Sequence, residues 1–152
     1  MKIYRIAKQQ FISDLSGEGA RLYGGRWNKP GHNMLYCSKQ LSLSVLELLV
    51  HVDYQFINQN FWFIEIEIPE VIDIPKVPSK ILKQDWRHNP PLELTQNYGT
   101  DWLKSNKKLA LSVPSAVLPN EHNILLNPNH IDFKNVQITK KEILDIDARV
   151  FK

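Results

Sequence analysis

Residues 61–68 read FWFIEIEI and run into Pro69. Trp62, Ile64, Ile66 and Ile68 fall on one face of this stretch, Glu65 and Glu67 on the other. A strict period of two specifies a half-buried β-strand. It also fixes the register, because a slip of one residue would carry every isoleucine to the solvent face. Pro69 brings no N–H to the ladder and stops the strand.

Further strands are expected at residues 2–7, 33–38, 109–113, 123–126, 136–139 and 143–150. Residues 41–54 form the clearest helix, with neither Gly nor Pro inside. Residues 13–31 hold five of the six glycines and read as ordered loop with one short helical turn. Residues 75–91 are studded with proline, leaving room for a short helix near 79–83, and 101–106 suggests another turn. Strands and helices mix without a repeating βα rhythm, which favours α+β over α/β. No repeat, low-complexity stretch or linker divides the 152 residues, so one compact domain spanning 1–152 is expected.

The formal net charge of +3 is too mild to argue for direct nucleic-acid binding, and the doublets Lys107-Lys108 and Lys140-Lys141 are isolated. Cys37 is the only cysteine, which excludes a disulfide framework and a cysteine-based zinc cluster. It reads as a small buried strand residue, with no His or Asp beside it to activate a thiolate. The N-terminal MKIYRIAKQQ has no apolar core of a signal peptide, and no run approaches the roughly 18 apolar residues of a membrane helix. A cytoplasmic protein without a membrane partner is expected.

Four places can carry chemistry. In GGRWNKPG, residues 24–31, Arg26 follows two glycines whose bare backbone lets a ligand come close. Its guanidinium fork suits a phosphate or a carboxylate, although a stack on Trp27 or a surface ion pair would use it equally well. Neither a Walker A loop nor GxGxxG is present. On the helix, Ser44, Glu47 and His51 share one polar stripe amid apolar residues. That stripe is either a solvated edge or a carboxylate facing a cleft, since burying Glu47 unused would be costly. No second ligand stands at metal spacing from His51, and no metal is expected. Ser115 follows a strand and Pro114. Without a GxSxG elbow it is not an acyl-enzyme serine, and it can equally be a turn residue satisfying local backbone groups. Tyr36 reads as a core or rim aromatic.

In order, the chain shows Tyr4-Arg5-Ile6, GEGA at 17–20, GGRWN at 24–28, Leu35-Tyr36-Cys37-Ser38, LELLVH at 46–51, VPSA at 113–116, NILLNPNH at 123–130 and Asp147-Ala148-Arg149. This combination closely resembles the RES-domain toxin family, named for an arginine, a glutamate and a serine, from about residue 3 to 150. The resemblance implies an ADP-ribosyltransferase-like fold and the toxin of a bacterial toxin–antitoxin pair. It implies an enzyme that consumes NAD by phosphorolysis or hydrolysis of the nicotinamide–ribose bond, as an NAD phosphorylase or glycohydrolase. Protein ADP-ribosylation, or a non-catalytic module that only binds the antitoxin, are the alternatives. The implied partners are an Xre-like helix-turn-helix antitoxin, NAD, inorganic phosphate and a second copy of the chain within the complex.

Carried over residue by residue, Arg26, Tyr36, Glu47 and Ser115 are the implied catalytic group. Arg5, Gly25, Arg26, Tyr36 and Ser38 are the implied NAD contacts. Arg26 would hold the diphosphate or its ribose, Tyr36 the nicotinamide end, and Ser115 would line the same pocket. Trp27 is expected to pack and Asn28 to fix the loop. Ser44 stands where alanine is usual in the family, and Cys37 where Thr or Ala is usual.

Overall fold

A computed structural model describes residues 1–56 and 60–151. Among these residues six strands build one sheet: β1 (Lys2–Lys8), β2 (Leu35–Ser38), β3 (Phe61–Glu67), β4 (Ala110–Pro114), β5 (His122–Leu126) and β6 (Gln137–Ile143). Their order is β4-β5-β2-β1-β3-β6, and every paired neighbour is antiparallel. Among the described residues four helices accompany it: α1 (Glu18–Tyr23), α2 (Leu41–His51), α3 (Ser79–Leu82) and α4 (Glu93–Ser105). The architecture is α+β.

The alternation at 61–68 works as the sequence predicts. Ile64, Ile66 and Ile68 are fully buried beside Ile3, Leu35, Cys37, Ile124 and Leu126, and Trp62 packs against them. The opposite face is more apolar than the pattern suggests, because Phe61 and Phe63 are buried there too. Glu65 on that face is held by Lys2 at 3.1 Å and Thr139 Oγ1 at 2.9 Å. Tyr4 pairs with Ser38, and Ser38 pairs with Asn123. Side chains alternate along each strand, so Tyr4, Tyr36, Ser38, Asn123 and Leu125 share one face. Arg5 and Cys37 share the other. Trp27, Met34, Trp86, Leu103, Leu111, Val113 and Leu125 form a second core on the Tyr36 face.

Several boundaries differ from expectation for local reasons. The helix expected over 41–54 ends at His51, and a 3₁₀ turn follows at Tyr54–Phe56, where Asp53 Oδ1 accepts from Gln55 N. The turn expected at 101–106 is the end of α4, a 13-residue helix. Its buried face is Thr95, Gly99, Thr100 and Leu103, too small and polar to register as an apolar stripe. The strand expected at 143–150 does not form. β6 absorbs 137–143, and Asp147 Oδ1 then accepts from Arg149 N at 2.8 Å, an Asx turn that leads into the 3₁₀ turn Ala148–Phe151.

Candidate active site

The GGRWN loop joins α1 to β2 and is pinned from within. Gly24 has φ 70 with ψ 179, a positive-φ conformation that glycine adopts at little cost, and it closes α1. Asn28 is fully buried. Its Nδ2 donates to the carbonyls of Ala20 at 2.8 Å and Lys29 at 3.1 Å, and its Oδ1 accepts from the Tyr36 hydroxyl at 2.7 Å. Trp27 enters the second core, with ring centroids 6.2 Å from Trp86 and 6.3 Å from Tyr98. With Trp27 and Asn28 committed inward, Arg26 turns to the proline-studded segment. Its Nη1 donates to the carbonyls of Trp86 and His88, each at 2.9 Å.

Arg26 is therefore fastened by neutral oxygens and not by a carboxylate. Burial lowers its pKa, opposed by the nearby charge of Glu47, while Arg87 adds to the lowering. Arginine keeps its charge through such shifts. Among the described residues, its Nε and Nη2 make no hydrogen bond to protein, so part of the fork stays available. Arg87 is itself anchored, its Nε donating to Ala116 O at 2.9 Å.

Tyr36 is half-buried, with its hydroxyl enclosed. That hydroxyl donates to Asn28 and accepts from Trp27 N at 3.0 Å. Burial pushes its ionisation well above the ordinary 10.0, opposed by the Trp27 N–H and by Arg26. With its proton given to Asn28 and a lone pair to Trp27 N, the hydroxyl is engaged by protein, and the larger part of what Tyr36 offers a ligand is ring surface.

Glu47 lies on the half-buried stripe of α2. Its Oε1 accepts from Ser115 Oγ at 2.7 Å and from Asn123 Nδ2 at 2.6 Å. Among the described residues Oε2 accepts from no protein donor. Ser115 is fully buried, and its Oγ also accepts from Val117 N and Leu118 N, each at 3.1 Å. A serine hydroxyl has one hydrogen and two lone pairs. With both lone pairs occupied, the hydrogen is directed at Glu47. Ser115 thus reaches the site through Glu47. Ser38 is buried, its Oγ donating to Asn123 Oδ1 at 2.8 Å. Ser44 donates to Tyr4 O at 3.3 Å, joining α2 to β1.

Arg26, Tyr36, Glu47 and Ser115 therefore gather on one face of the sheet. Gly25 stands with them, against Tyr36. Arg5 does not. It points to the opposite face beside Cys37, where its Nη1 donates to the carbonyls of Phe11 at 3.1 Å and Ile12 at 2.9 Å. Burial lowers its pKa. Two surface concavities, of about 160 and 210 Å³, lie around Gly31, Leu103 and Asn127 and around Lys8, Phe56 and Asn60. Neither borders Glu47, so it is the convergence of functional groups that marks the site.

The RES domain family description matches residues 2–147. The chain belongs to the RES-domain toxin family. Toxin Res of Photorhabdus laumondii subsp. laumondii is 37% identical over 158 residues, covering 100% of this chain and 98% of the relative. Toxin Res of Yersinia enterocolitica is 39% identical over 135 residues, 88% of each chain. The Prs ADP-ribosylating toxin of Sphingobium sp. is 34% identical over 153 residues, covering 99% of this chain and 95% of the relative. The fold is similar to that in the crystal structure of the M. tuberculosis MbcT-MbcA toxin–antitoxin complex. There the TM-score is 0.76 at 16% identity, over 99% of this chain and 86% of that one.

The sequence assigns no individual role to two residues near the site, although Asn123 opens the NILLNPNH motif. Asn123 touches Glu47 only because β5 pairs with β2, and a lone Asn at a strand start looks like a turn residue. Arg87 sits in a proline-studded segment without periodicity. Among the described residues no helix is long and apolar enough to cross a membrane.

Proposed function

We propose that this RES domain consumes NAD by cleaving its nicotinamide–ribose bond, as a phosphorylase or glycohydrolase. The observation that carries this reading is the state of Glu47. One carboxylate oxygen is held by two buried-side donors and the other is left over, within electrostatic reach of the partly free guanidinium of Arg26.

The chemistry fits those groups. Cleavage breaks the ribose C1′–nitrogen bond and returns the bonding pair to the nicotinamide nitrogen. The ring leaves neutral, so no general acid is required. Positive charge develops on the ribose, and a fixed carboxylate stabilises it through the ribose hydroxyls. The free arm of Arg26 holds the diphosphate by charge-assisted hydrogen bonds, and Tyr36 packs its ring on the nicotinamide end. Gly25 leaves room beside Tyr36. Phosphate or water then takes C1′, giving ADP-ribose-1-phosphate or ADP-ribose with a proton. Arg5, on the far sheet face, supports the loop at 11–12 in this scheme.

A second reading is protein ADP-ribosylation, favoured by the 34% identity to the Prs ADP-ribosylating toxin. In it an acceptor side chain takes C1′ in place of phosphate or water. As partner we propose an Xre-like helix-turn-helix antitoxin that covers the site in the cytoplasm, with a second copy of the chain in the assembly. The similarity in fold to the MbcT-MbcA complex supports an antitoxin.

Incubating the purified chain with NAD, with and without phosphate, tests these readings. Nicotinamide with ADP-ribose-1-phosphate supports phosphorolysis, nicotinamide with ADP-ribose hydrolysis, and a labelled protein the second reading. Intact NAD under all conditions removes both enzyme readings and leaves an antitoxin-binding module.

A further inference from the structure

Ser38 and Asn123 stand directly opposite each other on β2 and β5, and a single chain of hydrogen bonds runs through them to Glu47. Ser38 Oγ donates to Asn123 Oδ1 at 2.8 Å, and Asn123 Nδ2 donates to Glu47 Oε1 at 2.6 Å. The polarity of this chain is forced. A carboxylate only accepts, so the amide must present its nitrogen to Glu47 and its oxygen to Ser38. A hydroxyl can donate to that oxygen. Without Ser38 the amide keeps this polarity, because Glu47 still requires a donor, but Oδ1 loses its partner and Asn123 is held at one end only.

We propose that Ser38 and Asn123 are a positioning pair for Glu47: they tie down Oε1 and so present Oε2 as the oxygen that meets the ribose. This rests on the reading of Glu47 as the carboxylate facing the reacting ribose. Ser115 holds the same Oε1 from another strand end, so the carboxylate is gripped from two sides. A rotation of the carboxyl group would break both bonds together. Ser38 is buried on the sheet face with its hydroxyl spent on Asn123, and it does not contact NAD.

The two assignments of Ser38 differ in kinetics. A residue that binds NAD raises KM when lost. A residue that orients the carboxylate lowers kcat, and it does so only while Asn123 is there to be oriented. The experiment is a double-mutant cycle on NAD consumption with Ser38→Ala, Asn123→Ala and the double variant, alongside wild type and Glu47→Gln. Each protein is checked for folding by its thermal transition. Ser38→Ala is expected to lower kcat roughly 10-fold and Asn123→Ala up to about 100-fold, the scale set by a misplaced catalytic group, with KM for NAD little changed. The double variant should be no slower than Asn123→Ala, because coupled residues are not additive. Ser38→Thr keeps the O–H and should recover part of the kcat lost in Ser38→Ala. Asn123→Asp sets a second carboxylate against Glu47 and should be at least as slow as Asn123→Ala.

Losses that multiply in the double variant, a KM effect without a kcat effect in Ser38→Ala, or wild-type kcat in Asn123→Ala would each overturn the proposal. If wild type consumes no NAD, or Glu47→Gln is as fast as wild type, the assignment of Glu47 itself fails. Active wild type, inactive Glu47→Gln and an unaffected Ser38→Ala would sink the positioning pair alone.

Discussion

Gly25 and the Tyr36 hydroxyl occupy one space: a Cβ at position 25 would stand 2.6 Å from that oxygen and 3.1 Å from Asn28 Oδ1. The bare backbone ahead of Arg26 is thus already used inside the protein. Tyr36 cannot retreat without breaking its bonds to Asn28 and to Trp27 N. Gly25→Ala should displace the ring and cost about 1–3 kcal/mol, the usual penalty for overpacking. Urea unfolding measures the cost, and NAD turnover should fall in the same preparation. An unchanged midpoint together with wild-type turnover would mean that Tyr36 moves aside freely.

Arg26 holds two carbonyls with one nitrogen and keeps others in reserve, which a lysine cannot do. Arg26→Lys retains the charge and loses the fork. NAD turnover should drop on the order of 10²–10³-fold, as when a preorganised donor is removed. The segment it fastens should also loosen. The amides of Trp86 and His88, bonded to Gln84 O and Asp85 O, should exchange hydrogen faster than in wild type. Turnover lost with exchange unchanged would confine Arg26 to ligand contact; exchange gained with turnover intact would make it a structural clip.

How much of this was legible follows the range of each interaction. The alternation at 61–68 and the polar stripe of Ser44, Glu47 and His51 are local patterns; β3 can be read from the first, while the second puts Glu47 on a polar stripe and leaves open whether it faces solvent or a cleft. What Glu47 touches could not be read. Ser115 and Asn123 lie 68 and 76 residues away, and only the antiparallel pairing of β5 with β2 and β4 delivers them. The partners of Arg26 are backbone carbonyls, which carry no residue signature. Helix α4 was mostly hidden for a related reason. Gly99 lies so close to the Trp27 carbonyl that a side chain there would collide with backbone. The packing that makes α4 possible therefore removes the apolar residues that would have announced it. Arg5 shows the reverse: its motif resembles the family's first-strand arginine, while the strand pleat turns it to the other face.

Ser115 has a structural and a chemical duty that one substitution exposes together. In Ser115→Ala, the Val117 and Leu118 amides lose their shared acceptor and Glu47 loses one of two donors. These amides are only partly buried, so leaving them unpaired costs at most about 1–3 kcal/mol. The melting temperature should fall, and at a temperature where the variant is fully folded kcat should still be reduced at least about 10-fold, as for a group lost from a preorganised site. Because Ser115 is fully buried, KM for NAD should stay near the wild-type value. A raised KM with normal kcat would place the hydroxyl in direct contact with substrate.

Cys37 supplies a pH test independent of catalysis. It is 3% exposed, and burial pushes its thiol up to about 12 from an ordinary 9.0, opposed by the charge of Arg5. In the unfolded chain the thiol loses its proton near 9.0; in the native state it keeps it. Between those values the native state binds more protons, so stability must fall as pH rises, by at most about 1.4 kcal/mol per pH unit for one group. Below 9.0 the thiol contributes no slope. Tyr36, also raised, adds a fall of the same sign above 10.0. Urea unfolding between pH 8 and 10 should show wild type losing stability more steeply than Cys37→Ala above pH 9, whatever cavity cost the alanine carries at pH 8. Iodoacetamide at pH 8 should label the thiol only after urea is added. Equal slopes in the two proteins, or ready labelling of the native chain, would mean that the thiol face of the sheet opens to solvent.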